Sequence, residues 1–171
     1  MSIEIRVTEN FTDEQREQVF GWGTDIFGVE AHNYRWQPKR WHVLLEADGR
    51  LVTHVGLLKH VVKVGGEPVT VGGIGGVATR GEAHGRGYAT QAMRFAESYM
   101  CEQLQVDFGL LFCRDPLVAF YRKLGWQLLP ERAQAEQPSG KIILPFHAFV
   151  RPCQAQSSWP PGSIDLDGLP W

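Results

Sequence analysis

Residues 72–90 read GGIGGVATRGEAHGRGYAT, and this stretch determines the expected fold. Four glycines fall inside the apolar run that ends at Thr79, and glycines within a strand mark a bulge or a close approach to the backbone. The next residues, RGEAHGRG, open onto the N-terminus of a helix, whose first N–H groups lack internal partners and attract anions. The stretch predicts a bulged strand and a glycine-rich loop for a phosphate-bearing ligand, with a plain turn as the alternative.

Two common phosphate-binding motifs do not fit this loop. A Walker P-loop, GxxxxGK[ST], requires a lysine, but the residues at that distance from Gly81 are RGY. A dinucleotide-binding GxGxxG is only half present, because Gly85 and Gly87 are followed by Thr90 in the third glycine position. The loop also follows a β-meander instead of opening a βαβ unit, so neither class of nucleotide-binding protein is expected.

The segments on both sides of the loop predict a mixed α/β domain. Apolar runs upstream are separated by Asp-Gly and Gly-Gly turns, which indicates an antiparallel meander. Downstream, apolar residues recur at helical spacing and then form short buried runs. The predicted elements are a strand at 3–7, a helix from Thr12 towards Phe27, a short helix or lid within 28–40, strands at 42–46, 51–64 and 69–79, a helix at 89–104, a strand at 108–113, a short helix at 116–124, a strand at 126–129, a loop at 130–140 and a last strand at 141–150.

The overall composition is that of an ordinary globular protein. The chain has 171 residues, a length that favours a single domain spanning residues 1–171. Of these residues, 43% are hydrophobic and 21% are charged, which disfavours disorder, collagen and long coiled coil. The formal charge of −2 gives no broad basic surface, so we expect no nucleic-acid partner. No run of eighteen apolar residues and no signal-peptide pattern occurs, so we expect no membrane partner.

The cysteines suggest a cellular location. Cys101, Cys113 and Cys153 are odd in number and widely spaced, which matches neither a disulfide framework nor a CxxC metal motif. The sequence therefore predicts three reduced thiols, a cytoplasmic protein and no bound metal.

A second motif lies downstream of the glycine-rich loop. Residues 118–126 read VAFYRKLGW, similar to the AxxFYxxxGF helix of the GNAT N-acetyltransferase superfamily, and HGRGYA at 84–89 resembles that superfamily's acyl-CoA loop, [QR]xxGx[GA]. The resemblance covers residues 3 to 150 and implies the GNAT fold: a mixed, mainly antiparallel central sheet flanked by helices, with a β-bulge on the acyl-CoA strand. The chain is most similar to aminoglycoside 2'-N-acetyltransferases and, more distantly, to nodulation acyltransferases.

The resemblance implies where acetyl-CoA would bind as co-substrate. The loop amides would hold the pyrophosphate, the strand would pair with the pantetheine arm, and the N–H of Val77 would polarise the thioester carbonyl. His84 stands where the family has Gln or Arg, and it is either a phosphate contact or an exposed loop histidine. The residues assigned to acetyl-CoA are Val77, Ala78, Thr79, His84, Gly85, Arg86, Gly87, Tyr88, Ala89 and Thr90.

The same resemblance implies three catalytic candidates. Tyr121 occupies the position of the family's thiolate partner, although it could instead be a core aromatic. The strand carboxylate of the aminoglycoside enzymes is missing, because its position corresponds to Gly75. The candidate bases are Glu30, His54, Asp165, Asp167 and the carboxylate of Trp171, of which Glu30 and Trp171 are preferred. His54 lies in an apolar strand and is better explained as a satisfied cross-strand histidine. Cys113 is expected to be a small buried filler and not a nucleophile.

The acceptor side is expected to combine flat aromatic faces with negative charge. This pattern suits a cationic, partly apolar amine such as an aminoglycoside or polyamine. The alternative is that residues 151–171 pack their tryptophans and leave their acids solvated. The residues assigned to the acceptor are Glu30, Tyr34, Trp36, Asp165, Asp167 and Trp171, with Trp159 nearby in the same tail.

Three functions remain open at this level. The first is acetyl transfer from acetyl-CoA to a small-molecule amine in a ternary complex, and the second is transfer of a longer acyl chain. The third is a CoA-binding or sensory module without catalysis, which the missing carboxylate at Gly75 suggests. A homodimer is possible, since dimerisation is common in the superfamily.

Overall fold

The strands and helices follow the predicted order as far as residue 129, in a computed structural model that describes residues 1–171. The strands are β1 (Ile3–Thr8), β2 (Trp41–Ala47), β3 (Arg50–Val64), β4 (Glu67–Thr79), β5 (Phe108–Cys113), β6 (Gln127–Leu128), β7 (Gln134–Gln137), β8 (Gly140–Ile143), β9 (His147–Pro152) and β10 (Ile164–Asp165). The α-helices are α1 (Asp13–Phe20), α2 (Tyr88–Glu102) and α3 (Val118–Lys123). None of these helices is long and apolar enough to cross a membrane.

The strands form one mixed sheet. Its main path runs β6-β9-β5-β4-β3-β10-β7-β8, while β2 pairs with the first half of β3, and β1 pairs with β2. Only the β4–β5 and β7–β10 pairs are parallel, and the other pairs are antiparallel. The predicted fold class, a mainly antiparallel central sheet flanked by helices, is confirmed.

Apart from shifts of one or two residues at other boundaries, three parts of the prediction differ from the structure, and β10 is an additional strand in the tail. Helix α1 ends at Phe20: the Gly21 N–H makes the last i→i−4 bond, to Glu17, and the Trp22 N–H then donates to Val19 in a tighter turn. Glycine at position 21 is a poor helix former. The expected loop at 130–140 contains β7, whose polar sequence QAEQ buries only Ala135 and so lacks the alternation that predicts a strand. The expected last strand divides into β8 and β9.

The core lies on both faces of this sheet. Helix α2 packs its apolar face, including Ala92, Met93, Ala96 and Met100, against one face, as its helical spacing predicts. A second buried cluster joins residues of β3, β4, β5 and β9 with Ile164 of β10 and with Leu166 and Trp171 of the chain's last segment. The last segment is therefore part of the packed structure.

The prediction of three reduced thiols is wrong. Cys101 and Cys153 form a disulfide, with their Cα atoms 5.4 Å apart, and only Cys113 is free. Cys101 lies at the end of α2 and Cys153 directly after β9, and β5 brings the two segments together by pairing with β9. Because 52 residues separate the two cysteines, no local pattern indicates the bond. The cysteines therefore no longer support a cytoplasmic location, which stays a prediction.

Replacing Cys101 with serine should lower the free energy of unfolding by about 2–4 kcal/mol, because the disulfide restricts the unfolded chain. The measurement is urea unfolding followed by tryptophan fluorescence. Reductant should weaken the wild-type protein similarly and leave Cys101→Ser unchanged. Identical unfolding midpoints of the wild-type protein with and without reductant would contradict the prediction.

Candidate active site

A cavity opens where two central strands separate. Strands β4 and β5 are paired from Val71–Ile74 with Phe108–Leu111, and the parallel pairing ends there. Beyond this point, the last residues of both strands line a cavity of about 1220 Å³. The lining also includes the loop before α2, the segment between α1 and β2, and Trp171. The fold therefore brings most of the predicted site segments to one place.

A β-bulge interrupts β4 beside this cavity. Gly56 pairs with Gly75 and His54 pairs with Ala78, so two residues of β4 face a single residue of β3. Gly76 is one of the two and has a φ of +61°, a conformation that favours glycine. The predicted bulge is confirmed, and it takes the strand backbone out of regular pairing at the edge of the cavity.

Two buried histidines hold the bulge in place. His54 Nδ1 lies 2.6 Å from the Gly76 carbonyl oxygen, and His54 Nε2 lies 2.8 Å from His42 Nδ1. Because a carbonyl only accepts, His54 Nδ1 carries the proton and His42 Nδ1–H donates to His54 Nε2. Burial lowers the pKa of His42 to about 4 and that of His54 to about 3, so both rings are neutral at pH 7. His54 is thus a satisfied cross-strand histidine, as predicted.

Acid should destabilise the protein through this pair. Since both folded-state pKa values lie below the unfolded value of about 6.5, the stabilisation is present above pH 6.5 and is lost as pH falls towards 4 and 3. As pH falls from 7 to 5, the shifted pKa of each ring should lower the free energy of unfolding by about 2 kcal/mol, because the ring gains a proton only in the unfolded state. Urea unfolding at several pH values should show this slope.

The double variant His42→Asn/His54→Asn serves as the test, and it should flatten the pH dependence. The control is His32→Asn, which removes an exposed imidazole and should keep the wild-type slope. A double variant that retains the full wild-type slope would show that other groups cause it.

The loop before α2 has the geometry of an anion site. Gly85 and Gly87 have φ values of +75° and +78°, and a Cβ at either position would meet no atom within 4 Å. Helix α2 begins at Tyr88 without a side-chain cap, so the N–H groups of its first turn have no capping partner. These open glycines let a ligand reach unpaired N–H groups at the positive end of a 15-residue helix.

The side chains of His84 and Tyr88 have partners within the protein, although both residues also line the cavity. His84 is exposed, and its Nε2 donates to the carbonyl of Thr79 at 2.7 Å, so the ring holds the loop against the end of β4. The ring of Tyr88 is buried in the core, and the side chain of Arg86 does not line the cavity. Contacts from these positions to a ligand would therefore come mainly from the backbone.

Tyr121 reaches the cavity from α3. Its ring packs against Phe120 and Phe149, with centroids 5.0 and 6.0 Å away, and the residue is 4% exposed. Burial, and then the nearby Cys113, raise the pKa of the Tyr121 hydroxyl well above its usual range, so it stays protonated. Burial also raises the pKa of Cys113 to about 11, so this thiol is a poor nucleophile at neutral pH, as expected.

Aromatic rings form one wall of the cavity. Tyr34 and Trp36 are 5.9 Å apart, and each lies within 6.5 Å of the Phe146 ring. Glu30, in a short 3-10 turn, lines the cavity beside them. The structure therefore brings together three of the predicted acceptor residues, and Phe146 joins them from the segment before β9.

Two predicted acceptor residues lie elsewhere. Asp165 is paired with Lys141 at 2.6 Å, and Asp167 lies 3.7 Å from Lys63. Neither aspartate lines the cavity, because β10 docks between β3 and β7 and turns both carboxylates towards these surface lysines. Both aspartates are therefore left out of the candidate site. Trp159 is also outside it and packs on Phe108, 5.2 Å away.

Trp171 reaches the cavity with its backbone. The indole is buried against Gly73, where an added Cβ would meet it at 2.5 Å, and its Nε1 donates to the Leu110 carbonyl at 3.3 Å. The backbone carbonyl carbon lies 3.1 Å from the point where a Cβ of Gly75 would stand. The indole therefore fills the core below the bulge, and its catalytic role stays a prediction.

Three basic residues that the sequence does not predict as site residues line the cavity. Arg16, Lys39 and Arg114 all line it, and none of them forms an ion pair with an acidic residue. Arg114 packs on Gly28, where a Cβ would lie 2.1 Å from its guanidinium carbon. No local motif marks these positions, since each is set by the packing of distant segments. No cluster of three or more His, Cys, Asp or Glu side chains is placed to hold a metal.

The fold and cavity are those of a known protein family. A family model described as the acetyltransferase (GNAT) domain matches residues 8–129, which is more than half of the chain. This match defines an acyltransferase domain. The chain belongs to the GNAT acetyltransferase family. No curated protein matches it significantly.

Solved structures share this fold. The chain is similar to YhbS of Escherichia coli, crystallised with CoA, with a TM-score of 0.67 and 15% identity over 96% of this chain and 89% of that chain. It is also similar to a GNAT acetyltransferase of Brucella melitensis in complex with acetyl-CoA, with a TM-score of 0.55 and 12% identity over 94% of each chain. An acyl-CoA N-acyltransferase of Pseudomonas aeruginosa also matches, with a TM-score of 0.57 and 19% identity over 88% of this chain and 99% of that chain. At these identities the likeness establishes the fold alone.

Proposed function

We propose that this protein is an acetyl-CoA-dependent N-acetyltransferase that transfers acetyl directly to the primary amine of a small acceptor in a ternary complex. The observation that carries the proposal is the meeting of three features in one cavity: the bulged end of β4, the open loop before α2, and the Tyr121 hydroxyl. The bound CoA and acetyl-CoA of the similar structures support acetyl-CoA as the donor.

Each feature has a distinct part in the reaction. The backbone from Gly85 to Thr90 would bind the pyrophosphate, and residues 77–79 would pair with the pantetheine arm. The Val77 N–H, at the bulge, would stabilise negative charge on the thioester oxygen. The protonated Tyr121 would donate to the departing thiolate, and Glu30 is the proposed acceptor of the ammonium proton.

The cavity suits an acceptor with one or two positive charges and an apolar part. Tyr34, Trp36 and Phe146 offer ring faces, and Glu30 offers a carboxylate. Asp25 also lines the cavity, but its carboxylate already accepts from two backbone N–H groups. Because the wall holds few free acids, we propose a monoamine or diamine before a highly charged aminoglycoside or polyamine.

The space beside the bulge favours a short acyl group. The Trp171 indole fills the space over Gly73, and the Lys39 side chain fills the space over Gly75. A long acyl chain directed below β4 would have to displace one of them. Acetyl transfer is therefore proposed ahead of long-chain transfer.

The test combines donor binding with turnover. Isothermal titration calorimetry with acetyl-CoA measures binding, and a thiol-release assay with a panel of monoamines, polyamines, aminoglycosides and peptides measures transfer. Octanoyl-CoA provides the long-chain arm. We expect acetyl-CoA binding and thiol release that depends on an amine. Binding without turnover on any amine would favour the non-catalytic module, and absence of binding would overturn the proposal.

A further inference from the structure

The cavity contains a primary amine of its own. Lys39 is the only one of the chain's five lysines that lines it, and this residue follows the aromatic segment that ends at Trp36. Lys39 is partly buried, and no ion pair or hydrogen bond of the structure involves its Nζ. The remaining lysines are Lys59, Lys63, Lys123 and Lys141. A cavity that is proposed to acetylate amines therefore holds one unpaired amine.

Two paired glycines create the space that this lysine occupies. Gly56 of β3 pairs with Gly75 of β4, and both lie under the Lys39 side chain. A Cβ at Gly56 would lie 2.6 Å from Lys39 Cγ, and a Cβ at Gly75 would lie 2.8 Å from Cε and 3.0 Å from Nζ. Gly75, which stands where a strand carboxylate is expected, thus provides room for the Lys39 amine. It directly precedes Gly76, the glycine at the bulge.

The surroundings of Lys39 favour its neutral form. Arg16 faces it from α1, His42 and His54 face it from β2 and β3, and the Trp171 carbonyl carbon also lies over Gly75. Both histidines are neutral at pH 7, so the charged groups near Lys39 are the Arg16 guanidinium and the carboxylate expected at Trp171. Burial, and then Arg16, lower the pKa of Lys39 to about 8, so part of the amine is unprotonated near neutral pH.

We propose that Lys39 is an internal acceptor, which the protein acetylates with its own bound acetyl-CoA when no other amine occupies the cavity. This inference rests on the proposed function. The Nζ lone pair attacks the thioester carbonyl carbon, an N–C bond forms and the C–S bond breaks. The leaving thiolate takes up the proton that the attacking amine releases, which yields free CoA and N-acetyllysine at position 39.

The test needs only the protein and acetyl-CoA. The protein is incubated with acetyl-CoA without any amine, and peptide mass spectrometry follows acetylation of all five lysines over time. We expect Lys39 to react at least about tenfold faster than any exposed lysine. The rate should rise about tenfold per pH unit below pH 8 and level off above it.

Three controls separate this reaction from chemical acetylation. Excess free CoA should block modification of Lys39 and leave modification of Lys123 and Lys141 unchanged. Urea-unfolded protein should lose the preference for Lys39. Lys39→Arg keeps the charge and should remove the fast phase, while Lys141→Arg should retain it.

The outcomes distinguish the inference from the proposed function. If calorimetry shows that acetyl-CoA binds but Lys39 reacts no faster than the exposed lysines, the inference is overturned and the proposed function stands. Acetyl-CoA that does not bind overturns both. Fast modification of Lys39 that free CoA does not block also overturns the inference, because the reaction then does not use the proposed donor site.

Discussion

Replacing Tyr121 with phenylalanine should lower kcat for acetyl transfer by about 100-fold and change the acetyl-CoA dissociation constant by less than about threefold. The hydroxyl is the only group removed, and the ring contacts with Phe120 and Phe149 remain. Because its pKa is raised, the hydroxyl is protonated at neutral pH and can donate to the departing thiolate. The measurement is thiol release with the best amine of the panel.

The matched control is Tyr99→Phe, which removes a hydroxyl from α2 outside the cavity. Its kcat should stay within about twofold of the wild-type value, since Tyr99 does not line the cavity and its ring contacts remain. Urea unfolding should show that both variants remain folded. Full activity in Tyr121→Phe would remove the thiolate role and leave Tyr121 as a core aromatic.

The parts of the fold and site that the sequence predicts well depend on local backbone chemistry. The bulge at Gly76 and the open loop at Gly85 and Gly87 require positive φ values, which glycine readily adopts, so the residue type reveals the geometry. The apolar face of α2 follows from residue spacing, and Pro116 marks the start of the helical segment that carries Tyr121. These features lie within short stretches of chain.

The parts that the sequence does not predict depend on contacts between distant segments. The acidic, tryptophan-rich tail predicts Asp165 at the acceptor site, but the pairing of β10 with β7, whose other neighbour is β8, brings it to Lys141 instead. The Cys101–Cys153 disulfide depends on the pairing of β5 with β9. Lys39 is likewise placed by a glycine pair on two other strands, and such a pair has no sequence signal of its own.

Gly76→Val should lower the free energy of unfolding by about 2–4 kcal/mol and kcat/KM by at least about 100-fold. A β-branched residue is strongly disfavoured at φ +61°, and its Cβ would lie 3.3 Å from His54 Cε1, the ring that holds the bulge carbonyl. Relief of this strain would shift the backbone at the bulge, and the proposed oxyanion donor, the Val77 N–H, would move out of position.

Gly66→Val separates backbone strain from the effect on the site. Gly66 lies in the β3–β4 turn with a φ of +84°, and a Cβ there would meet no atom within 4 Å. This control should lose about 1–2 kcal/mol of stability from strain alone and keep kcat/KM within about threefold of the wild-type value. Equal losses of activity in the two variants, measured where both are folded, would show that the bulge has no special role. A loss confined to Gly76→Val, with the pyrophosphate loop unchanged, would place the defect at the thioester carbonyl.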